Sequence, residues 1–236
     1  MSRLSIRSLL IAPILSFCLC AGPVAAESRN LAPGFSAMNK GAVISIMQPD
    51  VELFSLSAGG VSEPKADWTE AAMKHVSAAL EARFKAVGLA TRTLTDSEAD
   101  DLAEINALHA AVARSISLHH MGGDSFSLPT KEGKLDWSMG DAVLPLREKT
   151  GADYALFLWV RDSYASAERK VAMVALALLG VGITGGFQVG YSSLVDLRTG
   201  QILWFNQMFR GNGDLREAEP AAETIATLLK DFPESR

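Results

Sequence analysis

The stretch 174-VALALLGVGITGGFQVG-190 decides how the rest of the chain is read. Gly180, Gly182 and Gly185 spell G-x-G-x-x-G, the dinucleotide-binding fingerprint, directly after an apolar run. Residues 171–195 also carry no charge, a length that can cross a bilayer. One reading makes the chain a nucleotide-binding enzyme and the other a membrane subunit. If both fail, the stretch is an insert in an ordinary α/β sheet.

The fingerprint acts only where a strand precedes it and a helix opens within it, so that the helix N-terminus meets the pyrophosphate. Here residues 187–197 alternate apolar and polar as a strand does, and no helix follows. No acidic residue about twenty positions on is placed to take a ribose hydroxyl. The glycines therefore read as structural, and no cofactor is expected.

The span fares differently. Residues 171–187 are uncharged, but four glycines interrupt the second half. Only residues 165–179 predict a helix, roughly 22 Å long at ~1.5 Å per residue, short of a hydrocarbon core of ~30 Å. A helix that is apolar all round must be covered by something. Its own fold, a partner subunit and the membrane surface are the three options. Val171, Ala172, Val174, Ala175, Leu176, Leu178 and Leu179 are the expected contact residues.

Outward from this insert the chain reads as alternating elements. Residues 153–161 (DYALFLWVR) are apolar on both faces, as a central strand is. On the far side, 187–197 and 201–209 (QILWFNQMF) flank the turn Arg198-Thr199-Gly200 and form a hairpin. Toward the N-terminus, 42–47 (AVISIM) is a buried strand, and 48–66 read as a long loop with an extended piece at 51–56, because of Pro49, Gly59, Gly60 and Pro64. Asp67 with Glu70 looks like a capping box, followed by Ala72, Val76, Ala79, Leu80, Phe84 and Val87 on one helical face and Gly88 as the stop. A strand at 89–94 leads to a second capping box, Thr95 with Glu98, and a helix buried through Leu102, Ile105, Val112 and Ile116. Residues 124–139 predict an exposed loop, 141–150 a short helix limited by Pro145, and Pro220 the start of a last helix with Ala222, Ile225, Leu228, Leu229 and Phe232 inward. The order β-α-β-α-(α)-β-apolar helical insert-β-β-α predicts an α/β fold, a mixed β-sheet covered by helices on both faces.

The first residues set the compartment. Arg3 and Arg7 make a positive n-region, 9–20 an apolar h-region, and Val24-Ala25-Ala26 a small-residue cleavage site. Residues 1–26 are thus expected to be a signal peptide cleaved after Ala26, followed by a flexible arm at 27–40 and a single domain at 41–236 with its insert at about 163–186. Cys18 and Cys20 lie in the leader behind Phe17 and Leu19, which suits a lipoprotein signal poorly, so a lipid anchor is not expected. Cleavage leaves no cysteine, and removing Arg3 and Arg7 leaves 20 basic against 27 acidic side chains, a net charge of −7. That balance argues against a nucleic-acid partner, which selects a basic patch.

Two motifs then carry a resemblance. Gly151-Ala152-Asp153-Tyr154-Ala155-Leu156 resembles the strand entry of the CsgG and TolB N-terminal-domain-like bacterial envelope proteins, a group that takes in LpoB-like proteins and small envelope lipoproteins. The run 193–204 (SLVDLRTGQILW) resembles their L-V-D-x-x-T-G hairpin with its closing Trp204. The resemblance covers about 41–232 and implies a periplasmic, non-enzymatic protein that works by self-association, an envelope protein partner or peripheral membrane contact. In the curli channel of this group the corresponding insert makes the membrane-crossing hairpins, and only the position of the insert is carried over.

Residue chemistry adds little to this. His119-His120 with Asp124 lacks the i, i+4 spacing of a metal pair, and His75 and His109 sit beside apolar stripes, so no metal is expected. Asp50 and Glu52 fall on one side of an extended segment and could form an acid–base pair. That is the basis of the alternative reading, a periplasmic hydrolase or small-ligand binder using the loop from Asp50 to Asp67. No G-x-S-x-G elbow or triad is present, and no residue is assigned as catalytic. Trp159 and Trp204 are expected in the core, and Trp137 partly exposed.

Overall fold

A computed structural model of the protein describes residues 28–236. The expected leader, its cleavage point after Ala26 and both cysteines lie outside the described residues. All strands join one sheet, and its axis is β5 (Tyr154–Ala165), bonded along both edges. One edge takes β6 (Gln188–Asp196) antiparallel from Tyr154↔Asp196 to Asp162↔Gln188. The other edge is shared by two shorter strands in tandem, both parallel to β5. β1 (Val43–Ile46) pairs with its first half and β2 (Asp50–Leu56) with its second. Gln48 and Pro49 make the break, where a proline cannot donate to the ladder. Beyond β1 lies β4 (Ala90–Thr93), parallel; beyond β2 lies β3 (Ser62–Pro64), antiparallel. β7 (Ile202–Arg210) pairs with β6.

Alternation along β5 feeds two cores. Tyr154, Leu156, Leu158 and Val160 point to the face packed by α1 (Ala66–Ala86) and α6 (Ala218–Leu228). Ala72, Val76, Leu80 and Phe84 recur every four residues on α1 and are essentially inaccessible, each worth ~1.5–3 kcal/mol of transfer free energy when large and fully buried. Ala155 and Phe157 point to the other face, covered by α3 (Ala103–His119), α4 (Leu144–Thr150) and the segment between them. The short α2 (Asp96–Asp101) opens on the expected capping box, with Thr95 accepting from Glu98 N and Glu98 accepting from Thr95 N. The sheet is mixed and has helices on both faces, as the order of elements predicts.

The two recognisable motifs are the fastenings of β5. The Asp153 carboxylate accepts from Val43 N at 3.0 Å, and its carbonyl accepts from Leu197 N at 2.9 Å, so one residue ties β5 to both neighbours. Asp196 accepts from Arg198 N at 2.7 Å to make the tight turn, and Trp204 is fully buried edge-on to Phe232.

Several expectations are corrected. The long loop at 48–66 is largely two strands: Val51, Leu53 and Leu56 are buried, and Gly60 at φ +83° turns the chain back into β3. Proline and glycine signals there mark the ends of β2, not its absence. Asp67 is not the cap of α1; Lys65 is the cap residue and makes no side-chain cap bond, while Glu70 pairs with Lys74 at 2.8 Å. α6 starts before Pro220 and turns Ala221 and Thr224 inward, leaving Ala222 exposed. The segment read as a flexible arm is docked from residue 28 onward. Ala32 N donates to Leu203 O and Phe205 N to Asn30 O, so the segment covers the open edge of β7, and Met38 is 1 % exposed. In the predicted exposed loop, Leu135 and Met139 are buried; the hairpin turn gives them a surface to pack on.

That turn is tested by two glycines of equal handedness. Gly200 has φ +71° and a Cβ there would run into the backbone of Gly140; Gly88 has φ +67° and open space around it. Gly200→Ala should lower the unfolding free energy by about 3 kcal/mol, strain plus clash, and Gly88→Ala by about 1 kcal/mol, strain alone, in urea titrations.

Candidate functional site

The insert leaves the sheet after Ala165 and returns at Gln188, so Ser163 to Ala165, expected in the insert, belong to β5. Ser166 caps α5 (Ala167–Ala177) by accepting from Arg169 N. Gly180 at φ +78° ends the turn that follows. Eleven residues make a helix about 16 Å long, and no helix among the described residues is long and apolar enough to cross a membrane.

The fold itself leaves one face of this helix uncovered. Val171 is 70 % exposed, Val174 65 %, Leu178 85 % and Leu179 78 %, and Ala175 is also exposed. Positions 171, 174, 175 and 178 share one helical face, and Ala172, Met173 and Leu176 are half-buried toward the return segment. The one buried side chain on α5 is a charged one. Arg169 donates through Nε to Thr184 O at 3.0 Å and through Nη1 to Ser57 O at 3.1 Å, tying the helix to its own return and to the β2–β3 turn. The glycines of the fingerprint lie in that return, after a helix and before a strand, the reverse of a dinucleotide loop. Gly186 passes against the backbone of Ser163, too close for a Cβ.

Beneath the insert a buried polar network fixes the strand ends it springs from. Asp162, 2 % exposed, accepts from the Tyr164 hydroxyl, from Gln188 Nε2 at 2.6 Å and from Leu215 N at 3.4 Å. Gln188 Oε1 accepts from Arg210 Nε at 2.8 Å and Thr224 Oγ1 at 3.0 Å. Burial pushes the Asp162 carboxyl above the usual carboxylate range against these donors, and burial with the adjoining Asp162 raises the Tyr164 phenol. Arg216, paired with Asp214 at 2.6 Å, lies 3.8 Å over the Tyr164 ring. Fully partnered networks of this kind rigidify a site. None of its members was singled out in the sequence, because the bonds from Asp162 to Gln188 and Leu215 and from Gln188 to Arg210 and Thr224 join residues 22 to 53 positions apart.

The other candidates resolve as follows. Asp50 and Glu52 do share a side of β2, but both clasp Arg161, at 2.7 and 3.2 Å, and the guanidinium lies over Trp159 at 4.8 Å. Two carboxylates on one cation are an ion-pair cluster and not an acid–base pair across a cleft. The His119 and His120 rings diverge: His119 Nδ1 meets Phe126 O at 2.8 Å and His120 Nε2 meets Arg29 O at 2.7 Å. Among the described residues no group of three His, Cys, Asp or Glu could hold a metal. His109 is buried, stacked at 3.9 Å on Phe157, and its Nε2 lies 2.5 Å from Ser193 Oγ. Trp204 is core, Trp159 is half-buried, and Trp137 is half-buried under the Lys131 ammonium at 5.0 Å.

No protein-family model matches the chain, and no curated protein matches it. Solved structures similar to it include the PelC dodecamer from Paraburkholderia phytofirmans, 12 % identical over 87 % of this chain and 95 % of that one, TM-score 0.40. The lipoprotein GNA1162 from Neisseria meningitidis is 13 % identical over 81 % and 97 %, TM-score 0.32. The LpoB C-terminal domain from Salmonella enterica is 12 % identical over 76 % and 87 %, TM-score 0.27.

Burial of His109 gives a pH prediction. Desolvation lowers its pKa to about 3, whereas an unfolded histidine titrates near ~6.5. Below that value the unfolded chain binds the proton and the folded chain does not, so stability falls as pH falls from about 6.5 toward about 3. Asp162, whose pKa burial raises, acts in the opposite sense, so the difference between wild type and His109→Gln isolates the histidine. That difference should grow by up to about 1.4 kcal/mol per pH unit in denaturant titrations; parallel profiles contradict it.

Proposed function

We propose that this chain is an exported, non-enzymatic accessory protein of the bacterial envelope, of the CsgG/TolB N-terminal-like kind, working in the periplasm. It acts by presenting α5 to another protein surface, either a second copy or an envelope partner. The observation that carries this reading is the exposed apolar face of Val171, Val174, Ala175, Leu178 and Leu179, held out by a single buried arginine. The signal-peptide pattern at 1–26 and the motifs at 151–156 and 193–204 support the envelope setting.

A protein surface is preferred to lipid on two physical grounds. The helix is about 16 Å long, and a chain with net charge −7 after leader removal is repelled by anionic headgroups. Aliphatic side chains on a helix face are what a facing groove takes up. The half-buried residues Ala172 and Leu176 orient that face and do not themselves contact the partner.

A photo-crosslinking residue at Val174 in whole cells should give one discrete protein adduct. The double variant Val171→Asp, Leu178→Asp should abolish it while changing unfolding free energy by no more than about 0.5 kcal/mol, as exposed substitutions do. Crosslinking to lipid alone, with flotation of the purified protein on vesicles, contradicts the reading.

A further inference from the structure

A second open apolar surface lies away from α5. A groove of about 560 Å³ runs between the last turns of α3 and the β6–β7 ladder, walled by Leu118, Trp159, Val189, Tyr191 and Phe209. Alternation puts Val189 and Tyr191 of β6 on one side of the sheet, and their register partners on β7 are Phe209 and Gln207. α3 covers Tyr191 through His109 but leaves Phe209 78 % exposed and Leu118 46 % exposed. Through Trp159 and Tyr191 the groove adjoins a cavity of about 210 Å³ beside Gln48 and Pro49.

The chain's own α5 does not fill this groove. Arg169 fastens the helix to Ser57 O in the β2–β3 turn, and β2 lies on the opposite edge of β5 from β6 and β7. One molecule therefore carries an apolar helix ridge to one side of β5 and an apolar groove to the other, each unfilled by its own fold. The two fit in form. A helix docks in a groove through anchors at i, i+3, i+4 and i+7, and Val171, Val174, Ala175 and Leu178 have that spacing.

They also fit in charge. Glu168, one turn before Val171, flanks the ridge; it is exposed and has no ion pair among the described residues. Bonds from its own N–H and the Ser166 hydroxyl hold its carboxyl below the usual range, so it stays ionised. Arg114 lines the groove, exposed and likewise without an ion pair among the described residues. Asp50 and Glu52 beside Trp159 do not answer it, because both are held by Arg161 over that ring. Lys170 flanks the other margin of the ridge, so the charges favour one seating, with Glu168 toward Arg114 and Lys170 away from it.

We propose that the groove receives α5 of a second copy of this chain, with Val174 and Leu178 against Leu118 and Phe209 and with Glu168 on Arg114. This names the partner of the α5 face and rests on the reading of that face as a contact surface. Ridge and groove are unlike surfaces, so each copy gives one and receives one. A single helix face makes a small interface of the weak class. In sedimentation equilibrium the mature protein should associate with Kd on the order of 100 μM and be monomeric when dilute. Arg114→Glu and Glu168→Arg should each weaken association at least tenfold, and the two exchanges together should restore most of it. Val87→Asp, exposed at the end of α1, should leave it unchanged. When Val174→Cys and Phe209→Cys proteins are mixed under mild oxidation, the mixed disulfide should outweigh either homodimer. A protein that stays monomeric to about 1 mM, a double exchange no better than the single ones, or a dominant Val174→Cys homodimer overturns the proposal. If the Val174 photo-adduct in cells is a different protein, the groove proposal fails and the reading of α5 as a contact surface stands; an adduct to lipid alone defeats both.

Discussion

β5 is bonded along both edges, and the rest of the molecule is arranged around that constraint. Twelve extended residues present two rows of backbone donors and acceptors that must be paired once the strand is buried. β6 satisfies one row with a single run, and β1 and β2 together satisfy the other. Because two strands share that edge, the sheet has a break at Gln48-Pro49. Both the α1/α6 core and the α3/α4 core wrap a sheet that is continuous on one side of β5 and interrupted on the other.

The exposed helix and the cavity lie at the two ends of that arrangement. At the far end of β5 the chain leaves through α5 and returns to β6, and the Asp162–Gln188–Arg210–Thr224 network clamps the ends of three strands below it. An apolar helix on a rigid base is suited to contact, because little ordering remains to oppose binding. At the break, the interrupted edge leaves room between β5 and α3, a cavity lined by Asp50, Asn106, His109 and Tyr191.

Local signals made much of this legible. The 153–161 run is apolar on both faces because β5 is covered on both. Thr95 and Glu98 cap α2, and Asp196 to Gly200 form the turn their residue types demand. What failed was non-local. β2 was legible as the extended piece at 51–56, but its hairpin partner β3 was hidden because Gly59, Gly60 and Pro64 read equally well as a loop. Asp67 and Glu70 have capping-box spacing, yet β3 ends at Pro64 and leaves Lys65 at the cap. The docking of residues 28–38 depends on the open edge of β7, which no window of sequence around Ala32 reveals. That α5 is rich in apolar residues was legible. Its outer face was not, because only the fold shows Arg169 turned inward and Ala172 and Leu176 against the return.

The most direct measurement on the central claim is thiol accessibility at Leu178, compared with exposed Val61 on the β2–β3 turn. The only native cysteines, Cys18 and Cys20, fall in the expected leader, so single-cysteine variants of the mature protein carry one label site. If α5 is a contact surface, Leu178→Cys reacts with a maleimide as fast as Val61→Cys in the dilute purified protein and is selectively protected in intact envelopes. Equal labelling of the two positions in both settings contradicts the account.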